Sequence, residues 1–175
     1  MPFARTVLGD IAPEELGIVY AHEHLVIHGG RPIEYQPDFD LSSVEKAVAE
    51  LAPAQALGLR TVVDAMPCDA GRDVLMLADI ARQSGVNVIA PSGLHHERYY
   101  HDRHWSVRLS AEEIADLFVA DIEEGIDELD YNGPVVKRTP HKAGVMKIAG
   151  STDGLAARDE VVFEAAAQAQ QRTGC

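Results

Sequence analysis

GIVYAHEHLV, residues 17–26, is the stretch that decides how this chain folds and where its chemistry lies. Its first half is apolar and β-forming, as expected for a strand that is buried on both faces, and it leads into His22 and His24. Side chains alternate between the two faces of a strand, so residues two apart point the same way, about 7 Å from each other. We therefore predict that His22 and His24 can converge on one metal ion, whereas Glu23 faces away. The alternative is a pair of histidines that make only ordinary hydrogen bonds.

Three further apolar β-forming segments follow, each succeeded by a helical pattern. We predict strands near residues 17–26, 60–65, 86–91 and 145–149, and a small hairpin before the first of them. A strand–helix alternation repeated four times indicates parallel βαβ units and an α/β fold. In parallel α/β barrels the chemistry is built at the carboxyl ends of the strands, which is where His22 and His24 fall.

Helix boundaries are marked by capping residues. Ser42 with Glu45, and Ser110 with Glu113, have the spacing of a capping box. Gly85 is expected to end the helix that follows the second strand. The helix beginning after Ser110 is predicted to run to about residue 129.

The composition indicates one globular domain, residues 1–175, with 46% hydrophobic and 25% charged residues. A net charge of -13 argues against nucleic acid and anionic membranes as partners. The only cysteines are Cys68 and Cys175, and the N-terminal residues have no signal-like apolar core. We therefore expect a cytoplasmic protein that acts on a small molecule.

Lys147 is unusual because apolar β-forming residues surround it in GVMKIAG, residues 144–150. A lysine buried in such a strand must be paired, neutral or chemically modified. It either pairs with a carboxylate at the mouth of the strand or has a depressed pKa and a neutral amine. A neutral amine can add carbon dioxide and become a carbamate, an anionic ligand able to bridge two metal ions.

AHEHL at residues 21–25, together with GVMKIA at residues 144–149, resembles the phosphotriesterase family of the amidohydrolase superfamily. The TVVDA, GRDV, SGL and DIEEGID segments between and around them occur in the same order, so the resemblance covers essentially the whole chain. It implies an α/β fold of the (β/α)8 TIM-barrel type.

The resemblance also implies a binuclear metal site, most commonly with zinc. His22, His24 and Lys147 would be metal ligands, with Lys147 carbamylated by carbon dioxide and therefore part of the catalytic centre. Such a site activates a bridging hydroxide to hydrolyse phosphotriester, ester or lactone bonds.

The family takes further ligands, two histidines and an aspartate, from strands five, six and eight, whereas this chain supplies only about the first four βα units. A whole barrel needs about 250 residues. The leading hypothesis is a phosphotriesterase-like metallohydrolase. The alternative is a truncated, non-catalytic half-barrel that is inactive alone, needs the missing half and self-associates through its open sheet edges.

His95 and His96 follow the third predicted strand, where the family lines its substrate pocket. The resemblance implies that they contact substrate, although aromatic residues are common at these positions in the family. The alternative is that both histidines are simply solvated in a loop.

Overall fold

The computed structural model describes residues 2–150 and 154–175. It opens with an antiparallel hairpin of β1 (Ala4–Thr6) and β2 (Gly9–Ile11), which confirms the predicted hairpin. The backbone N–H of Val7 then bonds the carbonyl of Val88 at 2.8 Å, so the hairpin is anchored to the third strand of the main sheet.

Parallel strands form the centre of the fold. β3 (Ile18–Glu23), β4 (Leu59–Asp64) and β5 (Asn87–Ile89) pair side by side in chain order. After Ala90 the third strand resumes as β6 (Pro91–Ser92), which pairs in parallel with β7 (Val145–Met146). The four predicted parallel strands are thus confirmed in their order and direction.

Five helices are described, α1 (Gly30–Tyr35), α2 (Val44–Ala56), α3 (Val74–Ser84), α4 (Ala111–Glu123) and α5 (Ala157–Thr173). One apolar core lies between the sheet and helices α2 and α3, with Leu77, Ile80 and Val62 fully buried. A second core joins α4 to α5 around Phe118 and Ile114. Helices α2, α3 and α4 thus pack against strands β4, β5 and β6, and α5 packs against α4.

Some predicted helix ends are confirmed and others are wrong. Ser110 and Glu113 form the expected capping box, and Gly85 ends α3 in the left-handed conformation. Ser42 does not cap α2, because its hydroxyl bonds Asp40 and Ser43 accepts the amide of Lys46 instead.

Helix α4 ends at Glu123, before the predicted residue 129. Gly125 follows with φ of +142°, and an added Cβ there would overlap the carbonyl oxygen of Thr139. This close backbone approach ends the helix and turns the chain toward residues 138–141.

The expectation that the first strand is buried on both faces is wrong. Ile18, Val19 and Tyr20 of β3 are 60%, 39% and 52% exposed. The reason is the position of β3 at the edge of the sheet, with β4 as its one neighbour among the described residues. The apolar sequence of β3 is suited to a strand with neighbours on both sides. Within residues 2–150 and 154–175, β3 has a neighbouring strand on one side.

The fourth strand is shorter than predicted. Only Val145 and Met146 pair as β7, and the ladder extends by one further bond, from the amide of Lys147 to the carbonyl of Ser92 at 2.8 Å. A cavity of about 780 Å³ lies beside β7, with Met146, Ile148 and Cys175 in its lining. Val145 and Met146 are accordingly only half-buried.

Candidate metal centre

The two histidines of the first strand lie side by side at its carboxyl end. Their ring centroids are 5.3 Å apart and the rings are nearly perpendicular. The pairing of β3 with β4 shifts register between Tyr20 and Glu23, so the histidines follow an irregular segment and not an ideal strand. His22 is the fifth residue of β3, and His24 lies immediately beyond its end.

His24 has the features of an available ligand. Its Nδ1 atom is buried and has no hydrogen-bond partner. Burial lowers the pKa of His24, and the neighbouring His22 and Lys147 lower it further. Both effects favour the neutral imidazole, which is the form that binds metal ions.

Lys147 faces the same region. Its Nζ donates to the carbonyl of Ala65 at 3.3 Å, and its side chain is partly buried. Burial lowers the pKa of Lys147, while Asp64 raises it by a smaller amount. No ion pair joins this amine to a carboxylate of residues 2–150 or 154–175, so the first of the two sequence interpretations receives no support from the geometry.

Asp64 is a residue that the sequence reasoning did not single out. It ends β4, is completely buried, and its carboxylate accepts backbone N–H groups of Leu25, Val26 and Met66 at 2.7, 3.3 and 2.9 Å. Burial raises the pKa of Asp64 to about 6, against the effect of these three bonds. The signal in the sequence is an aspartate directly after the apolar run TVV, residues 61–63.

The two histidines that were predicted to contact substrate are neighbours in the loop after β6, with ring centroids 4.6 Å apart. His95 is partly buried, and burial lowers its pKa to about 3, with a smaller contribution from the charge of Lys147. Its ring lies 3.8 Å from that of Tyr99. His96 is 5% exposed and packs edge-on against the same tyrosine, so its ring lies within the loop.

A buried polar cluster lies behind β6 and was also not anticipated. The guanidinium of Arg72 is fully buried and bonds Asp121 at 3.0 Å, the carbonyl of Pro91 at 2.6 Å, and Asp130. Ser92 also donates to Asp121, at 2.9 Å. Because Ser92 accepts the amide of Lys147, this cluster supports the backbone that carries the lysine.

The donor set at the strand ends therefore consists of two imidazoles and one amine. Among the residues that the structure describes, no three His, Cys, Asp or Glu side chains are grouped closely enough to hold a metal ion. An orphaned imidazole nitrogen and a half-buried amine fit part of a binuclear site. His22 and His24 could hold one ion, and Lys147 could reach it only after modification to an anion.

Comparison with known proteins gives the family. The model of the phosphotriesterase family matches residues 2–175. This chain belongs to the phosphotriesterase family. The resemblance inferred from AHEHL and GVMKIA is thereby confirmed.

Curated relatives carry more than one activity in their names. A phospho-furanose lactonase of Mycoplasmopsis synoviae (strain 53) is 42% identical over 179 residues, covering 99% of this chain and 50% of the relative. An aryldialkylphosphatase of Saccharolobus solfataricus is 31% identical over 165 residues, covering 93% of this chain and 49% of the relative. The chain spans about half the length of the curated relatives it matches.

A solved structure supports the architecture. An amidohydrolase from Mycoplasma synoviae superposes with a TM-score of 0.90 at 38% identity, over 96% of this chain and 49% of that chain. The predicted fold class, a TIM-barrel-type α/β fold represented by about half a barrel, is confirmed. No helix in the described residues is long and apolar enough to cross a membrane.

Proposed function

We propose that this chain supplies one side of the metal centre of a metal-dependent hydrolase that opens lactones or related esters. The observation that carries the proposal is the juxtaposition of the His22–His24 pair with Lys147 at the carboxyl ends of the parallel strands. His22 and His24 lie at the end of β3 and Lys147 directly follows β7, so the proposed ligands come from segments far apart in the sequence.

The proposed ligands are His22 and His24 for one zinc ion, with a carbamate on Lys147 between two ions. Divalent ions in such a site activate water and polarise the carbonyl under attack. The chain's own contribution is to hold the two imidazoles in place, to favour the neutral form of His24, and to keep the amine of Lys147 in a partly buried site where its pKa is lowered. We propose further that His95 and His96 border the substrate, because their rings adjoin in the loop after β6 and burial, with a smaller contribution from the charge of Lys147, lowers the pKa of both.

The names of the relatives supply the first substrates to test. Phosphorylated furanose lactones come first, because the 42% identical relative bears that name and 99% of this chain aligns with it. Dialkyl aryl phosphates are the comparison class, after the 31% identical relative.

We propose that residues 1–175 alone do not turn over substrate, since three ligands on one side of a barrel cannot enclose two metal ions. A chimera tests this. Residues 1–175 are joined to the second half of the Mycoplasmopsis synoviae lactonase, and zinc content and lactone hydrolysis are measured for the chimera and for residues 1–175.

We expect zinc-dependent lactone hydrolysis by the chimera, its loss together with zinc in the His22→Ala chimera, and no turnover by residues 1–175. His95→Ala in the chimera should change KM more than zinc content. A folded, zinc-loaded chimera that hydrolyses neither substrate class would contradict the proposed function. Turnover by residues 1–175 alone would contradict the requirement for a second half.

A further inference from the structure

Asp64 is a fully buried carboxylate that bonds the backbone beside His24 and the turn at Ala65, whose carbonyl accepts Lys147 Nζ. We propose that Asp64 is a positioning residue, a clamp that fixes the backbone on which His24 sits and the carbonyl to which Lys147 is bonded. The inference rests on the proposed metal centre and assigns a role to a residue that does not itself bind metal.

The β3 backbone needs such a clamp because its regular pairing fails at the histidines. The β3–β4 ladder shifts register between Tyr20 and Glu23. Beyond that irregularity the carbonyl of Glu23 accepts the amide of Ala65 at 2.7 Å. The amides of Leu25 and Val26 are then bound by the Asp64 carboxylate. His24 is thus held on its N-terminal side by a main-chain bond and on its C-terminal side by the carboxylate.

The same carboxylate also fixes the turn that receives Lys147. Asp64 Oδ1 accepts the amide of Met66 at 2.9 Å, which closes the chain tightly around Ala65. The carbonyl of Ala65 then accepts Lys147 Nζ at 3.3 Å. The positions of His24 and Lys147, which follow two non-adjacent strands, therefore both depend on the buried Asp64 side chain.

Asp64 is not itself placed to be a ligand. Both of its oxygens accept backbone N–H groups, and the residue is completely buried. A carboxylate that orients ligands through hydrogen bonds affects metal affinity without touching the metal, typically by about 10–100-fold when it is removed.

Asp64→Asn is the first variant, because it keeps the shape and replaces an acceptor oxygen by a donor NH₂ that faces backbone N–H groups. Asp127→Asn is its matched control. Asp127 is also a buried carboxylate that accepts backbone amides, those of Tyr131 at 2.8 Å and Lys137 at 2.5 Å, and it has no bond to residues 22–26. Zinc affinity of the 175-residue chain is measured by competition with a chromophoric chelator.

A second variant separates the effect of the Asp64 charge from the effect of its hydrogen bonds. Replacing the Leu25 peptide N–H by an ester oxygen removes one donor to Asp64 while the carboxylate and its other two bonds remain. If Asp64 positions the ligands, both Asp64→Asn and the ester variant should bind zinc more weakly than the wild type. The loss in Asp64→Asn should be about 10–100-fold. Asp127→Asn should bind zinc as the wild type does. If the ester variant binds zinc within about twofold of the wild type, Asp64 has no positioning role. Weaker zinc binding by Asp64→Asn would then be due to the lost charge.

Amide hydrogen exchange in the metal-free chain tests the hydrogen bonds of Asp64 independently of zinc binding. We expect faster exchange at Val26 and Met66 in Asp64→Asn, beyond any change in global stability, and no such local change in Asp127→Asn. Unchanged protection at these amides would overturn the clamp. If wild type and His22→Ala bind zinc equally, the proposed metal centre fails and the positioning role falls with it, whereas the exchange data still report on the clamp.

Discussion

Arg72→Met is the substitution whose effect the structure defines best. The guanidinium is completely buried and bonds the carboxylates of Asp121 and Asp130. Methionine retains an unbranched apolar chain of similar reach, so the substitution removes the cation and its donors with little change in packing volume. Asp130, whose side chain is 13% exposed, is left without a cation among the described residues, whereas Asp121 keeps Arg138 at 3.0 Å.

The expected cost follows from that uncompensated charge. Removing one partner of a buried ion pair destabilises a protein by about 3–5 kcal/mol. A domain of this size is stable by about 5–15 kcal/mol, so the variant loses a large part of its margin. Adding Asp130→Asn to Arg72→Met should recover part of the loss, because the carboxylate that loses its cation is then replaced by a neutral amide.

The cost should depend on pH with a definite sign. Burial raises the pKa of Asp130 to about 6, although Arg72 acts to lower it. Without the arginine that pKa rises further. A carboxyl whose pKa in the folded state lies above its unfolded value stabilises the fold at low pH, and this contribution is lost as the pH rises through the folded pKa. The cost of Arg72→Met should therefore be smaller near pH ~5 than near pH ~7, and it should grow as the pH rises above about 6.

Urea denaturation followed by circular dichroism, at both pH values, measures the effect. Arg172→Met is the control, because Arg172 pairs with Asp116 at 2.7 Å on the surface, with both side chains exposed. That exposed pair should contribute about 0–1 kcal/mol. A cost for Arg72→Met below about 1 kcal/mol near neutral pH, or an equal cost at the two pH values, would refute the reasoning.

Three further predictions concern other parts of the chain. Gly93→Ala should lower the thermal midpoint and displace β7, because Gly93 has φ of +109° and an added Cβ would overlap the carbonyl oxygen of Lys147; an unchanged midpoint and zinc affinity would contradict this. Ser110→Ala removes the capping box of α4 and should cost about 1 kcal/mol in urea denaturation, with Ser42→Ala, whose hydroxyl caps nothing, as the near-neutral comparison. Residues 1–175 should self-associate in light scattering through the exposed apolar edge of β3, and Ile18→Lys should reduce the mass observed; a wild-type chain that stays monomeric at high concentration would show that this edge is not adhesive.

The parts of the fold that the sequence predicts well are those governed by local interactions. The capping box at Ser110 and the stop at Gly85 are satisfied within a few residues, so their patterns suffice. Ser42 and Ser43 are adjacent and equally suited to cap α2, and only the contact of Ser42 with Asp40 decides between them. The end of α4 depends on a strand-like segment more than ten residues later, which no local pattern records.

The candidate site divides in the same way. His22, His24 and Lys147 can be found from their spacing and their apolar flanks, since ligand-type residues are rare in such segments. The roles of Asp64 and Arg72 cannot be predicted in this way, because their partners lie 39 and 58 residues away along the chain. Their importance is visible only once the strands bring those segments together.

Trp105 lies beside the polar cluster behind β6 and makes that region observable by fluorescence. It is the single tryptophan of the chain, and its ring lies 4.6 Å from that of His104 and 5.8 Å from that of Tyr131, whose hydroxyl bonds Asp121. Intrinsic fluorescence of the unmodified protein is therefore an emission signal from the side of the fold where the buried charges meet, while circular dichroism averages over all five helices. If fluorescence and circular dichroism show the same unfolding transition, the cluster unfolds together with the rest of the protein. If the emission changes at a lower denaturant concentration, the cluster is a separate unit of lower stability.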